Sequence, residues 1–203
     1  TRFRNVTGVQ TCALPILLIT MQDILDYIKF FDFDKEIGKE IIAQYGESPD
    51  WKTHTWYSSA TKESHSNEEK ELDNFFMSDN DVYAEILKSY SYLAIKKYCQ
   101  MFPRLLVTDM STPRLNRYNT GTIMREHVDH IHTIFDGQRK GIPSITILGG
   151  LNDDYEGGEF SICGRDVPLK AGQIVIFPSN YIYPHGVKEV TSGTRYSFVS
   201  WSW

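Results

Sequence analysis

From residue 104 onward the sequence breaks into short runs: "RLLVTD", "PRLNRY", "TIMREHVDH", "SITILGGLN", "GEFSI", "DVPL", "QIVIFP" and "TRYSFVSW". Each is apolar or alternates apolar with polar, and Gly, Pro, Asn or Asp separates it from the next. Several short strands at such spacing predict a barrel or a sandwich. The expectation is a closed antiparallel unit of the jelly-roll or cupin kind.

Earlier residues read as helical. "MQDILDYIKFFDF" places Ile24, Leu25, Ile28 and Phe31 on one helical face. "DKEIGKEIIAQYG" repeats the pattern with Ile37, Ile41 and Ile42 and stops at Gly46. Residues 47–70 are polar and irregular, so a long loop is expected, with Trp51, Trp56 and Tyr57 either packing it onto the core or forming a substrate platform. "SDNDVYAEILKSYSYLAIKKYCQMF" predicts a helix capped by Ser78 or Asp79, facing the core with Val82, Ile86, Tyr90 and Leu93, and ended by Pro103. The expected class is α+β, with a helical region at 21–103 packed on a jelly-roll, cupin-like core at 104–203. Residues 1–20 read as a non-native tail. "VTGVQTCALPI" at 6–16 is similar to a translated sequencing adaptor, which puts the natural start near Leu17 or Met21.

A net charge of −5 gives no general pull on nucleic acid. Cys12, Cys99 and Cys163 are too few and too scattered for a disulfide framework or a CxxC zinc pair, as in a reducing compartment. The apolar run at 13–19 is too short to cross a membrane, so a cytoplasmic protein without membrane contact is expected.

"EHVDHIH", residues 126–132, holds the chemistry. On a strand, alternation sends His127 and Asp129 to one face and His130 and His132 to the other. A third ligand must come from elsewhere. His54 and His65 lie in the polar loop, whereas His185 in "YIYPHGV" follows the apolar strand "QIVIFPS". Two histidines and one carboxylate on one face of an ion form the facial triad of non-haem Fe(II) oxygenases, which leaves coordination positions open. A surface or hydrogen-bonded histidine remains the plainer reading of the HxD pair alone. Arg195 adds weight, because an arginine on the apolar strand "GTRYSFVSW" needs an anion. A dicarboxylate would meet its guanidinium with two parallel hydrogen bonds, and Ser197 on the same face adds a hydroxyl.

Leu115 to Trp201 resembles the catalytic core of the 2-oxoglutarate/Fe(II)-dependent dioxygenases, in the prolyl-4-hydroxylase-like branch. The matching pieces are "RYNTG", "HVD", "YEGGEF", "LKAGQIVIFPS", "PHGV" and "SGTRYSFVSW". The resemblance implies a double-stranded β-helix flanked by helices. It implies Fe(II), 2-oxoglutarate and O2, with ascorbate as a reductant, and hydroxylation of an unactivated carbon to give succinate and CO2. His127, Asp129 and His185 match the iron ligands and Arg195 the residue that binds the far carboxylate of 2-oxoglutarate; these four form the expected catalytic set. Tyr118 matches a cosubstrate-binding tyrosine, and Trp201 an aromatic packed behind the site. Gly157, Gly158 and Glu159 match a turn that opens the middle strand pair.

Two departures stand out: Met124 replaces an aromatic three residues before the first ligand, and Gly149 and Gly150 stand where some relatives carry a second tyrosine. The substrate is therefore left open between a prolyl or other amino-acid residue of a protein and a small molecule. "LNRYNTG" is also similar to nucleic-acid-demethylating relatives, which implies cosubstrate contact by Asn116, yet the second arginine of those relatives is here Trp201. The same ligand set also fits a cupin-like metal protein that does not use 2-oxoglutarate, and the strand pattern alone fits a binding module of the same shape. Residues 131–143 read as a lid or as a solvated loop.

Overall fold

The computed structural model describes residues 23–58, 63–66, 70–129 and 142–203. The tail with the adaptor-like stretch, His130, His132 and nearly all of 131–143 lie outside the described residues.

A 3-10 turn at Ile24–Tyr27 leads into β1 (Lys29–Asp32) and helix α1 (Lys35–Tyr45). Short strands follow: β2 (Lys52–Thr53), β3 (Trp56–Ser58), β4 (Glu63–His65) and β5 (Asp73–Phe76). Helix α2 (Val82–Met101) precedes β6 (Arg114–Asn119), β7 (Met124–His127), β8 (Ile145–Gly150), β9 (Tyr155–Gly157) and β10 (Phe160–Ile162). The last elements are β11 (Arg165–Val167), β12 (Gln173–Pro178), β13 (His185–Val187) and β14 (Val190–Ser202). Among the described residues they form a large antiparallel sheet in the order β1-β12-β8-β14-β6-β5-β2, with β9 also on β14. A smaller sheet runs β11-β10-β13-β7, and β3 and β4 pair as a hairpin.

Alternation along the strands of the large sheet divides two cores. Outward, Leu115, Ile145, Ile147, Ile174, Ile176 and Phe198 meet Ile41 of α1 and Ala84, Leu87, Ala94, Ile95 and Tyr98 of α2. Inward, Tyr118, Leu148, Val175, Phe177 and Val199 meet Phe160, Ile162 and Val187 of the small sheet. This is the expected double-stranded β-helix with helices on one outer face, and the inner core is where a site can sit. Of the paired glycines of β8, Gly149 serves the outer core, while Gly150 lies against the Lys170 backbone. A Cβ on Gly149 would fall 2.0 Å from the Phe198 ring. Gly149→Ala should therefore destabilise the fold by about 1–3 kcal/mol, the usual cost of overpacking, read as a lower urea midpoint.

Several local expectations are corrected. "MQDILDYIKFFDF" is a single capped turn followed by a strand: Ile24 is 42% exposed, and Lys29–Asp32 pair with Ile176–Gln173. Phe31 is buried while its neighbours Phe30 and Asp32 face out, so covering the edge of β12 outweighs local helical periodicity. In α2 the cap is Asp81, and the buried stripe is Ala84, Leu87, Ser91, Ala94, Ile95 and Tyr98. Val82 and Leu93 are 64% and 55% exposed, because small residues let the helix lie closer to the sheet than the larger ones would. "RLLVTD" is not a strand, and Leu106 faces solvent. The 47–70 segment carries β2, β3 and β4 rather than one irregular loop.

Candidate active site

β7 and β13 pair with His127 directly opposite His185, which brings the two rings to 4.4 Å between centroids. Asp129 stands two residues past His127, at a bend beyond the end of β7. His127 Nε2 lies 3.5 Å from Asp129 Oδ1, and His185 Nε2 lies 3.6 Å from Oδ2. All three residues offer a donor atom within 4.8 Å of one another.

The tautomers follow from the backbone. His127 Nδ1 is 2.8 Å from the carbonyl oxygen of Arg125, and His185 Nδ1 is 3.1 Å from that of Tyr183. A carbonyl only accepts, so each Nδ1 carries a hydrogen and each ring turns its Nε2 toward the carboxylate. Burial pushes His185 down to about 4, against the pull of Asp129. Burial alone would raise the Asp129 carboxyl, but His127, His185 and Thr146 outweigh it and hold it below the usual carboxylate range. Thr146 of β8 donates to Asp129 Oδ2 at 2.6 Å, and its one hydroxyl hydrogen being spent, Ser179 must donate to Thr146 at 2.8 Å. Two ring nitrogens and a carboxylate oxygen converging this closely form a ready-made set of metal donors. Two imidazoles and one carboxylate suit Fe(II), and the fixed tautomers are those a metal-binding histidine needs.

Arg195 lies deeper on β14, 1% exposed. Its Nη1 donates to Ser197 Oγ at 3.2 Å, and its guanidinium carbon sits 4.9 Å from the centre of the Tyr118 ring, opposite it on β6. Tyr118 is 2% exposed, and burial raises its phenol. No carboxylate pairs with Arg195 among the described residues. Arg195, Ser197 and Tyr118 thus form one polar cradle in an apolar core. A cavity of about 390 Å³ reaches Arg195 from outside, past Gly158, Glu159 and Phe160, without touching the triad. Glu159 is exposed on its wall, away from the three donors.

Asn116 faces inward beside Tyr118, but its Oδ1 accepts from Asn74 Nδ2 at 2.9 Å, and Asn74 Oδ1 accepts from His54 Nδ1 at 2.8 Å. Met124 packs half-buried on the inner core, and Trp201 packs there from β14, opposite Thr146. Trp56 stacks edge-on against His127 at 5.4 Å. Trp51 belongs to the outer core with Phe75 and Tyr196 instead, and the Tyr57 side chain lies outside the described residues. Burial lowers His54 from 6.5. Below 6.5 the unfolded chain takes a proton that the folded one resists, so acid destabilises the fold. The urea midpoint should fall between pH 7 and pH 5, and fall less in His54→Gln. Sequence reasoning missed Thr146 and Arg114. Arg114 was within reach, since alternation puts it on the face of Asn116 and Tyr118.

A double-stranded β-helix with three metal-donor side chains at its mouth belongs to the cupin-like class of scaffolds. Residues 113–203 match the 2OG-Fe(II) oxygenase superfamily. A PKHD-type hydroxylase of Gluconobacter oxydans is 35% identical over 98 residues, 44% of this chain and 42% of that one. A second, of Prochlorococcus marinus, is 32% identical over 129 residues, 58% of this chain and 54% of its own. The chain thus matches about half the length of these relatives. Among solved structures, a Trichoplax adhaerens prolyl hydroxylase in complex with a hypoxia inducible factor peptide fragment superimposes with a TM-score of 0.68 at 14% identity, covering 90% of this chain and 86% of that one. A Pseudomonas putida prolyl-4-hydroxylase gives 0.62 at 15%, covering 86% and 91%. At such identity these two establish the fold alone. No helix among the described residues is long and apolar enough to cross a membrane.

Proposed function

We propose that this protein is an Fe(II)- and 2-oxoglutarate-dependent dioxygenase that hydroxylates an unactivated carbon of an amino-acid residue or a small molecule. The observation that carries this reading is the meeting of two imidazole nitrogens and a carboxylate, beside a buried arginine with no carboxylate partner among the described residues. His127, Asp129 and His185 would hold the metal. When bound, the iron with 2-oxoglutarate and O2 supplies the oxidising power, and succinate and CO2 are released. Arg195, Ser197 and Tyr118 hold the far carboxylate of the cosubstrate. Thr146 steers Asp129 Oδ2, and the backbone carbonyls of Arg125 and Tyr183 set the two rings. Phe160, Phe177 and Val187 keep water from the inner end of the site. In this proposal residues 104–203 form the catalytic unit and 21–103 support it, ascorbate serves as reductant, and the site of action is the cytoplasm.

The test needs no substrate. Fe(II) and then 2-oxoglutarate are added to the protein without oxygen, and the weak visible charge-transfer band of the chelate is sought. The band is expected in the native protein. Its absence with metal bound would overturn the proposal in favour of a cupin-like metal protein. Thr146→Val, which removes only the hydrogen bond to Asp129, should weaken metal binding about 10–100-fold, seen as a higher Fe(II) requirement for the same band.

A further inference from the structure

Arg114 is a second inward-facing arginine, and nothing in the proposed function uses it. It starts β6, on the face shared by Asn116 and Tyr118, and it pairs with Val199 of β14 and Phe76 of β5. Its guanidinium carbon lies 5.2 Å from the centre of the Trp201 ring and 6.0 Å from that of Phe76. Its Nε is shut off from solvent and has no hydrogen-bond partner. No carboxylate pairs with it among the described residues. A half-buried guanidinium set against aromatic faces with its Nε shut off from water gives up hydration there and recovers little of it.

Its place in the sheet separates it from the cosubstrate cradle. Val199 is four residues beyond Arg195 on one face of β14, about 13 Å along the strand. At the next inward position stands Trp201, opposite Thr146, which bonds Asp129. Arg114 therefore sits near the triad, while the cradle sits at the other end of the same face. Phe76 beside it is 65% exposed, so this end opens outward through an apolar rim.

A second unsatisfied group lies close enough to Arg114 to feel its charge. His54 Nε2 is buried without a partner, while its Nδ1 is spent on Asn74. Because Asn74 gives its amide hydrogen to Asn116, its oxygen faces His54, and the hydrogen of the neutral ring is on Nδ1. Nε2 is therefore a bare acceptor. An arginine lacking an anion and a histidine lacking a donor together describe a ligand with a carboxylate and an N–H or O–H near it.

We propose that the mouth formed by Phe76, Arg114, Trp201 and His54 binds the substrate to be oxidised, and that Arg114 receives a carboxylate of that substrate, with His54 Nε2 accepting a hydrogen bond from it. The substrate class is an amino-acid-like acid, either free or as the terminus or acidic side chain of a peptide. This rests on the oxygenase reading and adds the substrate to it.

The test measures binding, not turnover. Protein loaded with diamagnetic Zn(II) and 2-oxoglutarate, which does not oxidise, is probed by saturation-transfer NMR with the free L-amino acids, with short peptides ending in a carboxylate, and with peptides bearing only a Glu side-chain carboxylate. Each is matched to its carboxamide. At least one acid should bind, and its carboxamide should bind about ten- to a hundredfold more weakly. In Arg114→Met the acid should lose that advantage, and Arg114→Lys should restore part of it; unfolding midpoints report that both variants fold. The arm that binds tells a free acid from a peptide. Equal binding of acids and carboxamides, no binding of any acid, or a preference that survives in Arg114→Met overturns the inference. The oxygenase reading fails separately, by absence of the charge-transfer band in the same protein.

Discussion

Asp129→Asn should lose metal binding while keeping the fold. The asparagine oxygen can still accept from Thr146, so the local hydrogen bonding survives. The charge does not, and two neutral imidazoles with an amide hold a divalent ion far less well. The loss should exceed the roughly 10–100-fold that follows loss of an outer partner. Thermal unfolding with Mn(II) reads this without any turnover. At about a hundred times its dissociation constant a bound metal stabilises the native protein by roughly 2.7 kcal/mol. The native protein should show that rise and Asp129→Asn should not. The same metal-induced rise in both proteins would remove Asp129 from the metal site.

Arg195→Met should weaken 2-oxoglutarate binding by about ten- to a hundredfold or more, since a charge-assisted hydrogen bond contributes roughly 1.5–3 kcal/mol. The variant should not cost the empty protein stability. A buried cation without a carboxylate partner is a burden on the native state, and a well-packed apolar side chain often replaces such a group at no loss. The signature is therefore a split: a much higher cosubstrate concentration to reach half of the charge-transfer band, with an unchanged or raised unfolding midpoint. A large drop in the midpoint with unaltered cosubstrate affinity would make Arg195 a structural residue and reopen the cradle assignment.

How far the site was legible depended on whether local or distant pairing decided it. Alternation brought out His127 and Asp129, although Asp129 reaches the triad from a bend past the strand end. The apolar strand before His185 marked it as the third donor, and the register that sets it opposite His127 only tightened that reading. Arg195 and Ser197 were visible as polar residues on an apolar strand, and Tyr118 only through the family resemblance. His54 and Asn74 were not, because their place comes from strands pairing over long sequence distances. Their segment reads as a polar loop when taken alone. The same cause explains β1: "KFFDF" fits a helix or a strand, and only the open edge of β12, far along the chain, decides between them. The buried stripe of α2 was misplaced because small residues at the closest approach carry no strong hydrophobic signal.

The position of β14 has a consequence for how the molecule forms. It is inserted between β6 and β8, which come much earlier in sequence, and it also contacts β9. Until residues 190–202 are in place, β6 and β8 each present an unpaired edge, and the two halves of the large sheet have nothing to join them. Such non-local closure predicts slow folding. It also predicts an intermediate with bare strand edges that self-associates readily. The yield of folded protein should therefore depend on concentration during refolding more steeply than its final stability would suggest.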